Sequence, residues 1–184
     1  DSRVLRGSLS ELTHIIEQTH AFSNLALQLY GLYLKVGYVR NEKDAQDVKQ
    51  FFYSKLPNAE YKNLDFMGKL YHNQAYMWYY HMNQEFTSCY RYAQRWVDLY
   101  KEEPEMLELH TPLYLKGLHN LLSTLYNMLH FKRYSEVFDD LMRFPERFDM
   151  ADDNNIEGLY FLFKYIHAIQ KHFIEGTFSE GISL

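Results

Sequence analysis

Residues 69–104, KLYHNQAYMWYYHMNQEFTSCYRYAQRWVDLYKEEP, form two helix-length segments separated by a short polar turn. The first segment is rich in tyrosine. The second places apolar residues at helical spacing from Phe86 to Trp96, which predicts a helix with one apolar face. Pro104 closes the second segment, as proline often does at a helix end. Because helices joined by so short a turn lie antiparallel, the stretch predicts a helical hairpin.

Similar helical segments lie on both sides of this hairpin, and no segment shows sustained strand alternation. The sequence therefore predicts an all-α chain of stacked antiparallel helical hairpins. Capping residues, prolines and glycines suggest the bounds of each segment. The first predicted helix opens at Ser8, with Glu11 at capping-box spacing, and the next three run from about Phe22 to Tyr38, from Asn41 to Pro57 and from about Leu64 to Met82. After the hairpin, Thr111 is the predicted cap and Pro112 the first residue of a helix that ends near His130, and another helix runs from a turn at Lys132 to Pro145. An acidic loop at residues 149–155 precedes a helix that starts at Asn154 and ends at Gly176, and a last helix starts at Thr177.

Composition excludes several classes of protein. The net charge is −5 and the 19 Lys and Arg residues are scattered, which argues against a nucleic-acid surface. No run of about 18 apolar residues occurs, so we expect no membrane span. The single cysteine, Cys89, excludes an internal disulfide and any Cys-based zinc site, and it favours a reducing compartment. We therefore expect a cytoplasmic protein.

The extent of the chain suggests one domain. At 184 residues it can bury the core of a single helical-repeat domain. It begins at Asp1 without a methionine, and its last predicted helix stops about one turn after Thr177. We expect residues 1–184 to be one such domain and a fragment of a longer array.

The hairpin at 69–104 has a related copy further along the chain. Repeats with periods of 20–50 residues are the usual sign of stacked helical arrays. A small residue is followed at the same offsets by two aromatic residues in both copies: Ala75, Trp78 and Phe86 in the first, and Ser123, Tyr126 and Tyr134 in the second. The spacing between successive units is 44 to 48 residues. We therefore expect each unit to be one hairpin of a repeat array.

This pattern resembles the tetratricopeptide repeat, in a variant with longer helices. In that family a small residue in the first helix lets the second helix pack closely, and a second small residue, an aromatic and a proline complete the motif. Here those places are held by Ala75, Phe86, Ala93 and Pro104. The resemblance implies a right-handed superhelix whose concave face, lined by the first helix of each pair, binds a protein or peptide.

The resemblance also implies a set of peptide-binding residues. In the family, a Lys and an Asn one helical turn apart often hold the terminal carboxylate of a peptide, and both offer donors to its oxygens. A tyrosine and histidine stripe on the same helices has the contact area and polar tips that peptide grooves use, although packing between repeats explains it equally well. The candidate peptide-binding residues are Lys69, Asn73, Tyr76, Tyr80, Lys116, Asn120 and Asn127.

The sequence contains no recognisable catalytic or metal-binding motif. Nine histidines are present, but none form HExxH or an i, i+4 pair, and the acidic stretch from Asp149 to Asp153 lacks the alternating ligands and the glycine of a calcium loop. Cys89 lies on the apolar face of its helix, which is typical of a structural thiol. We therefore expect no enzyme activity, no metal and no cofactor.

Three functions fit these observations. The first is a scaffold that binds a protein or peptide partner through the concave face. The second is the ligand-sensing region of a signalling or transcriptional regulator, and the third is a structural spacer. Repeat faces left apolar at either end of the chain could also support self-association. Neither nucleic acid nor a membrane is an expected partner of this region.

Overall fold

The first helix, α1 (Ser2–Val36), is a single helix of 35 residues in the computed structural model, which describes residues 2–150 and 153–183. The predicted break between the helix starting at Ser8 and the helix starting at Phe22 is wrong. Because neither Gly nor Pro occurs from residue 8 to residue 30, nothing in this stretch stops a helix once it has formed. The helix ends at Gly37, whose φ of 73° is the left-handed conformation that glycine adopts easily.

The second helix, α2 (Glu42–Lys55), begins and ends where the sequence predicts. The Asn41 side chain caps it, since its Oδ1 accepts a hydrogen bond of 2.9 Å from the backbone N–H of Asp44. Pro57 follows two residues after the helix. A short 3₁₀ turn, Tyr61–Asn63, then leads to the next helix.

Helices α3 (Phe66–Met82) and α4 (Phe86–Glu102) are the hairpin predicted at residues 69–104. Asp65 caps α3 by accepting a hydrogen bond of 2.7 Å from Gly68 N–H. The predicted turn at residues 83–85 separates the two helices.

The chain divides into two compact units, residues 1–96 and 97–184, and α4 crosses the boundary between them. In unit 1, α1 packs along α3, and both contact α2. A backbone hydrogen bond of 2.9 Å from Val39 to Met82 ties the α1–α2 loop to the end of α3. Burying these apolar faces together is the main stabilising contribution in unit 1. Its buried cluster consists of Leu25, Ala26, Leu29, Val48, Phe52, Ala75, Tyr79 and Met82.

Unit 2 is built around one central helix, α6, which packs against α7 and α9, while α10 packs against α9. Its core includes Leu115, Leu122, Tyr134 and Leu141, each with no exposed surface. The helices are α5 (Met106–Leu109), α6 (Thr111–Asn127), α7 (Phe131–Met142), α8 (Phe144–Arg147), α9 (Asn154–Glu175) and α10 (Phe178–Ile182).

Two helix starts in unit 2 differ from the prediction. Thr111 is the first residue of α6 rather than its cap, because its hydroxyl donates back to the Leu107 carbonyl at 2.7 Å. Lys132 lies inside α7 instead of in a turn. In both cases the neighbouring polar residues are equally compatible with a turn and with a first helical turn.

Two further bounds also differ. Pro145 lies in the first turn of α8, where a missing N–H costs nothing, so it starts a short helix after α7 has ended. The cap of α9 is Asp153, whose Oδ1 accepts from the N–H groups of Asn155 and Ile156 at 2.9 and 3.1 Å. Part of the predicted acidic loop, residues 151–152, lies outside the described residues. Gly176 ends α9 with a φ of 71°, as predicted.

The turns at residues 83–85 and 128–130 have the same backbone conformation. Each follows a helix of 17 residues, and each has a non-glycine residue with positive φ at its centre, Gln84 at 59° and Leu129 at 57°. In both turns the third N–H donates 3.0 Å back to a carbonyl five residues earlier. The two helix–turn segments are therefore related by an offset of 45 residues.

Across residues 2–150 and 153–183 every regular element is a helix and no strand occurs. The predicted all-α class is confirmed, and so is the packing of helix on helix within each unit.

Candidate functional site

A row of tyrosines lies where α3, α4 and α2 meet in unit 1. We call this surface the tyrosine face, and it consists of Tyr53, Tyr76, Tyr79, Tyr80 and Tyr92. Tyr76 and Tyr80 are four residues apart on α3, so their side chains leave the helix on one side. The turn at residues 83–85 brings α4 back along α3 and places Tyr92 beside them.

The rings of the tyrosine face are stacked. Tyr92 lies 4.8 Å from Tyr76 with 14° between the ring planes, and 5.7 Å from Tyr80 with 13° between them. Each of the three side chains is half-buried, so parts of the rings remain in contact with solvent. Stacked tyrosines offer broad apolar area that loses little side-chain entropy on binding, together with hydroxyl groups that can donate and accept hydrogen bonds.

An open groove continues from Tyr80 toward α2. Its volume is about 470 Å³, which is the size of a small ligand site or of a few peptide residues. Tyr53, Tyr79 and Tyr80 form its apolar wall. Its polar lining comprises Glu42, Gln46, Lys49, Asn83 and Glu85.

The opposite end of the tyrosine face is positively charged. The guanidinium of Arg95 lies 5.4 Å from the centre of the Tyr92 ring, and Lys69 Nζ lies 6.0 Å from that of Tyr61. Both distances are in the range of cation–π attraction. His72 links these groups, since its ring is 4.9 Å from Tyr61 and 4.7 Å from Tyr76. A ligand along this face would meet cations at one end and the groove at the other.

Asn73 does not present its amide to solvent. It is fully buried, and its Nδ2 donates a hydrogen bond of 3.1 Å to the Tyr61 hydroxyl. No described residue donates to its Oδ1. Asn73 lies on the buried face of α3, together with Leu70 and Met77. Lys69, by contrast, is only half-buried. In this conformation Lys69 and Asn73 do not form an exposed pair of donors.

Burial keeps the ionisable groups of this surface neutral. Burial is the main reason that the pKa of His72 is lowered to about 4, and the nearby Arg95 acts in the same direction. Burial also raises the pKa of Tyr76 and Tyr79 to about 12, with the neighbouring tyrosines adding to the shift. At neutral pH Tyr76 and Tyr79 therefore keep uncharged hydroxyls and His72 an uncharged imidazole, while Lys69 and Arg95 are the cations at this end of the surface.

The predicted residues of unit 2 form no comparable surface. Lys116 and Asn127 are exposed on α6, and Asn120 is half-buried. The Asn120 amide donates to the Lys116 carbonyl at 2.8 Å, so this donor is used within its own helix. At the 45-residue offset of the two turns, Lys116 and Asn120 fall on Tyr71 and Ala75 rather than on Lys69 and Asn73.

A buried polar network in unit 2 involves two of the histidines. His119 Nδ1 lies 2.9 Å from His167 Nε2, and His167 Nδ1 lies 2.8 Å from Gln170 Oε1. The Tyr134 hydroxyl donates to the His167 carbonyl at 2.8 Å. With the Gln170 oxygen as acceptor, Nδ1 of His167 carries the proton and its Nε2 accepts from His119. The network thus satisfies a fully buried histidine, His167, by hydrogen bonds to neutral groups.

Three residues of the candidate site were not predicted from the sequence: Tyr53, Tyr92 and Arg95. Tyr92 and Arg95 are three residues apart on α4, a spacing that places a cation beside an aromatic ring and could have indicated them. Tyr53 has no comparable signal, because its place in the groove depends on how α2 packs against α3. Gln170 was missed too, although it lies at i+3 from His167.

No family model, curated protein or solved structure matches the chain. None of the helices formed by residues 2–150 and 153–183 is long and apolar enough to cross a membrane. Within the same residues, no three His, Cys, Asp or Glu side chains are grouped as metal ligands would be. A functional assignment therefore depends on the tyrosine face and its surroundings.

Proposed function

We propose that this chain is a helical-repeat scaffold that binds a protein or peptide partner along the tyrosine face. One observation carries the proposal: Tyr76, Tyr92 and Tyr80 form a half-exposed stack that opens into a groove at one end and meets Arg95 at the other, where Lys69 lies over the Tyr61 ring. Interfaces that bind peptides concentrate their affinity in such tyrosine and arginine residues.

The fold we propose for the scaffold is a right-handed, tetratricopeptide-like stack of helical hairpins. The 45-residue offset between the turns at Gln84 and Leu129 supports a repeated unit, as does the complete burial of Ala75 and Ala93, the small residues of the motif. In such a stack the first helix of each hairpin lines the concave face. The tyrosine face on α3 then belongs to that face. A cytoplasmic location is part of the same proposal.

In the proposed complex the peptide lies along α3. A carboxylate of the peptide, at its C-terminus or on an acidic side chain, contacts Arg95, which lies over the Tyr92 ring, and Lys69, which lies over the neighbouring Tyr61 ring. Apolar or aromatic side chains of the peptide pack on Tyr76, Tyr80 and Tyr92. Asn73 supports the site from below through its hydrogen bond to Tyr61.

The experiment is selection of binders from a random peptide library displayed with free C-termini, followed by affinity measurement on the purified chain. We expect Tyr80→Ala, Tyr92→Ala and Lys69→Glu each to weaken binding of the selected peptides by about tenfold or more, the loss typical of an interface hot spot. Amidation of the peptide's C-terminus weakens binding if Lys69 holds the terminal carboxylate.

Tyr165→Ala and Lys116→Glu are the matched controls, since both residues are exposed on unit 2. Circular dichroism establishes that each variant is folded. Equal binding by the wild type and all tyrosine-face variants would place the site elsewhere. Failure to select any peptide would favour the structural-spacer role, in which the tyrosines serve packing alone. A selected peptide that depends on Lys116 and not on Lys69 would move the site to α6.

A further inference from the structure

The first four turns of α1 carry an apolar stripe that no other part of the described chain covers. Leu5, Leu9, Leu12 and Ile16 form this stripe, and they are 66%, 61%, 56% and 66% exposed. Further along α1 the helix is tied to the rest of unit 1, where the Thr19 hydroxyl donates to Asp65 at 3.1 Å. We call residues 3–17 the α1 extension.

The α1 extension has poor intrinsic helix propensity. It contains Gly7, three β-branched residues at 13, 15 and 16, and serines at 8 and 10, all of which favour a helix less than alanine does. A helical segment of this composition gains most of its stability from packing its apolar face. The extension therefore needs a partner surface more than a segment of Ala, Glu and Lys would.

The spacing of the stripe matches a coiled-coil seam. Its members are separated by four, three and four residues, the a and d positions of a heptad. If two such helices pair antiparallel about a point between residues 10 and 11, Leu5 of one meets Ile16 of the other, and Leu9 meets Leu12. Four apolar layers then fill the seam, and the exposed Gly7 lies on the outer side of the helix.

Charge determines which orientation is favourable. The charged residues of the extension are Arg3 and Arg6 in its first half and Glu11 and Glu17 in its second half. A parallel pair would place the two arginine-bearing halves side by side. An antiparallel pair places Arg3 and Arg6 of one copy along the half of the other copy that contains Glu17, and it also aligns the helix dipoles favourably.

We propose that two copies of this chain associate through their α1 extensions as an antiparallel helix pair. Covering the four side chains of the stripe on each copy buries at most about 900 Å² in total, below the range of about 1,200–2,000 Å² for stable specific interfaces. The association is therefore weak and concentration-dependent, and the pair forms at high chain concentration.

The test is sedimentation velocity of the 184-residue chain over a range of concentrations. The wild type shifts from the mass of one chain, 22.2 kDa, to twice that mass as its concentration rises. Leu9→Glu with Leu12→Glu abolishes the shift, because it places four carboxylates in the centre of the seam. Ile169→Glu is the matched control, since Ile169 is 53% exposed on α9, and it leaves the shift unchanged.

Orientation is tested by mixing two variants that each carry one added cysteine, Leu9→Cys and Leu12→Cys, under mild oxidation. The antiparallel pair yields mostly the disulfide between the two different variants, whereas a parallel pair yields each variant linked to itself. The wild type is the control, because its Cys89 is buried. A chain that stays monomeric at high concentration, a shift that Leu9→Glu with Leu12→Glu does not alter, or predominant self-linking of each variant overturns the proposal.

Discussion

Gln84 and Leu129 occupy the centres of two hairpin turns with the same backbone conformation, 45 residues apart in the chain. Positive φ costs a residue with a side chain about 1 kcal/mol or more relative to glycine. Elsewhere in residues 2–150 and 153–183, positive φ occurs at two glycines, Gly37 and Gly176. Each hairpin turn therefore stores a small strain that glycine would relieve.

Replacing Leu129 with glycine is expected to stabilise unit 2 by about 1 kcal/mol, because the side chain is 69% exposed and its removal loses little packing. Gln84→Gly stabilises less, since the Gln84 amide donates to the Val39 carbonyl at 3.2 Å. Thermal unfolding measures both. The control is Met128→Gly, which replaces a residue in the right-handed helical conformation and should destabilise. A melting temperature of Leu129→Gly below that of the wild type would contradict the proposal that the Leu129 backbone is strained.

Alanine at Gly68 and at Gly158 should change stability in opposite directions. A Cβ on Gly68 would lie 2.9 Å from the Asp65 carboxylate oxygen and 3.1 Å from both Leu64 Cβ and the Thr19 hydroxyl. We expect Gly68→Ala to cost about 1–2 kcal/mol by displacing the cap of α3. A Cβ on Gly158 in α9 meets nothing within 4 Å, so Gly158→Ala gains about 0.5–1 kcal/mol in helix propensity. Urea unfolding of both variants compares the signs directly, and two changes of the same sign would refute the expectation.

Stability should fall as the pH drops below 6.5, in part through His167. Burial, then the nearby His119, lowers the pKa of His167 from 6.5 to about 3 in the folded chain. Between these values the unfolded chain binds the proton more readily, so stability decreases by about 1.4 kcal/mol for each pH unit lost. Burial lowers the pKa of His81 and His119 to about 4, which acts in the same direction.

His167→Gln isolates this contribution. It breaks the buried network and is less stable than the wild type at pH 7, but it lacks the titrating group. The gap in unfolding free energy should therefore narrow by about 2 kcal/mol between pH 7 and pH 5. His14→Gln, which changes an exposed side chain, is the control. A gap that stays constant with pH would show that His167 is not held neutral by the fold.

Ala75→Leu should destabilise unit 1 by about 1–3 kcal/mol, because Ala75 has no exposed surface and packs in the cluster that contains Leu29 and Phe52. Ala168→Leu is the control, since Ala168 is only half-buried on α9. Denaturant unfolding of both variants gives the comparison. If Ala75→Leu were neutral, the small residue of the repeat motif would not be needed for close helix packing.

Most helices of this chain could be predicted from apolar periodicity, and α2, with its Asn41 cap and Pro57 end, shows why. Local signals sufficed for α2 because one residue, Asn41, caps the start of the helix and another, Pro57, prevents it from continuing. They failed at Ser8 and Glu11, where a capping pair occurs inside a helix that is already propagating. They also failed at Asn154, because Asp153, one residue earlier, accepts hydrogen bonds from two backbone N–H groups and is therefore the cap.

The register of the repeat was harder to predict. The side-chain pattern aligned Phe86 with Tyr134, 48 residues apart, whereas the turns are related by 45 residues. Three residues are nearly one helical turn, so both alignments keep apolar residues on the same face. The apolar periodicity alone therefore cannot distinguish the 48-residue alignment from the 45-residue one. The backbone conformation of the two turns does distinguish them.

The candidate site was predictable in part. Tyr76 and Tyr80 lie on the tyrosine face, and Lys69 lies near its cationic end. Asn73 is buried, and the pattern Leu70, Asn73, Met77 already placed it on the apolar face. Tyr53 and Tyr92 depend on which helices pack together, and no local spacing contains that information.

Both tryptophans of the chain, Trp78 and Trp96, lie in unit 1. Trp96 has no exposed surface, and Trp78 contacts Tyr30, Tyr33 and His81. Indole fluorescence of the unmodified protein therefore reports the state of residues 1–96, while the far-ultraviolet dichroism reports all the helices. If the two signals change at the same denaturant concentration, the units unfold as one cooperative system. If the two signals change at different denaturant concentrations, the indole emission reports the unfolding of unit 1 alone.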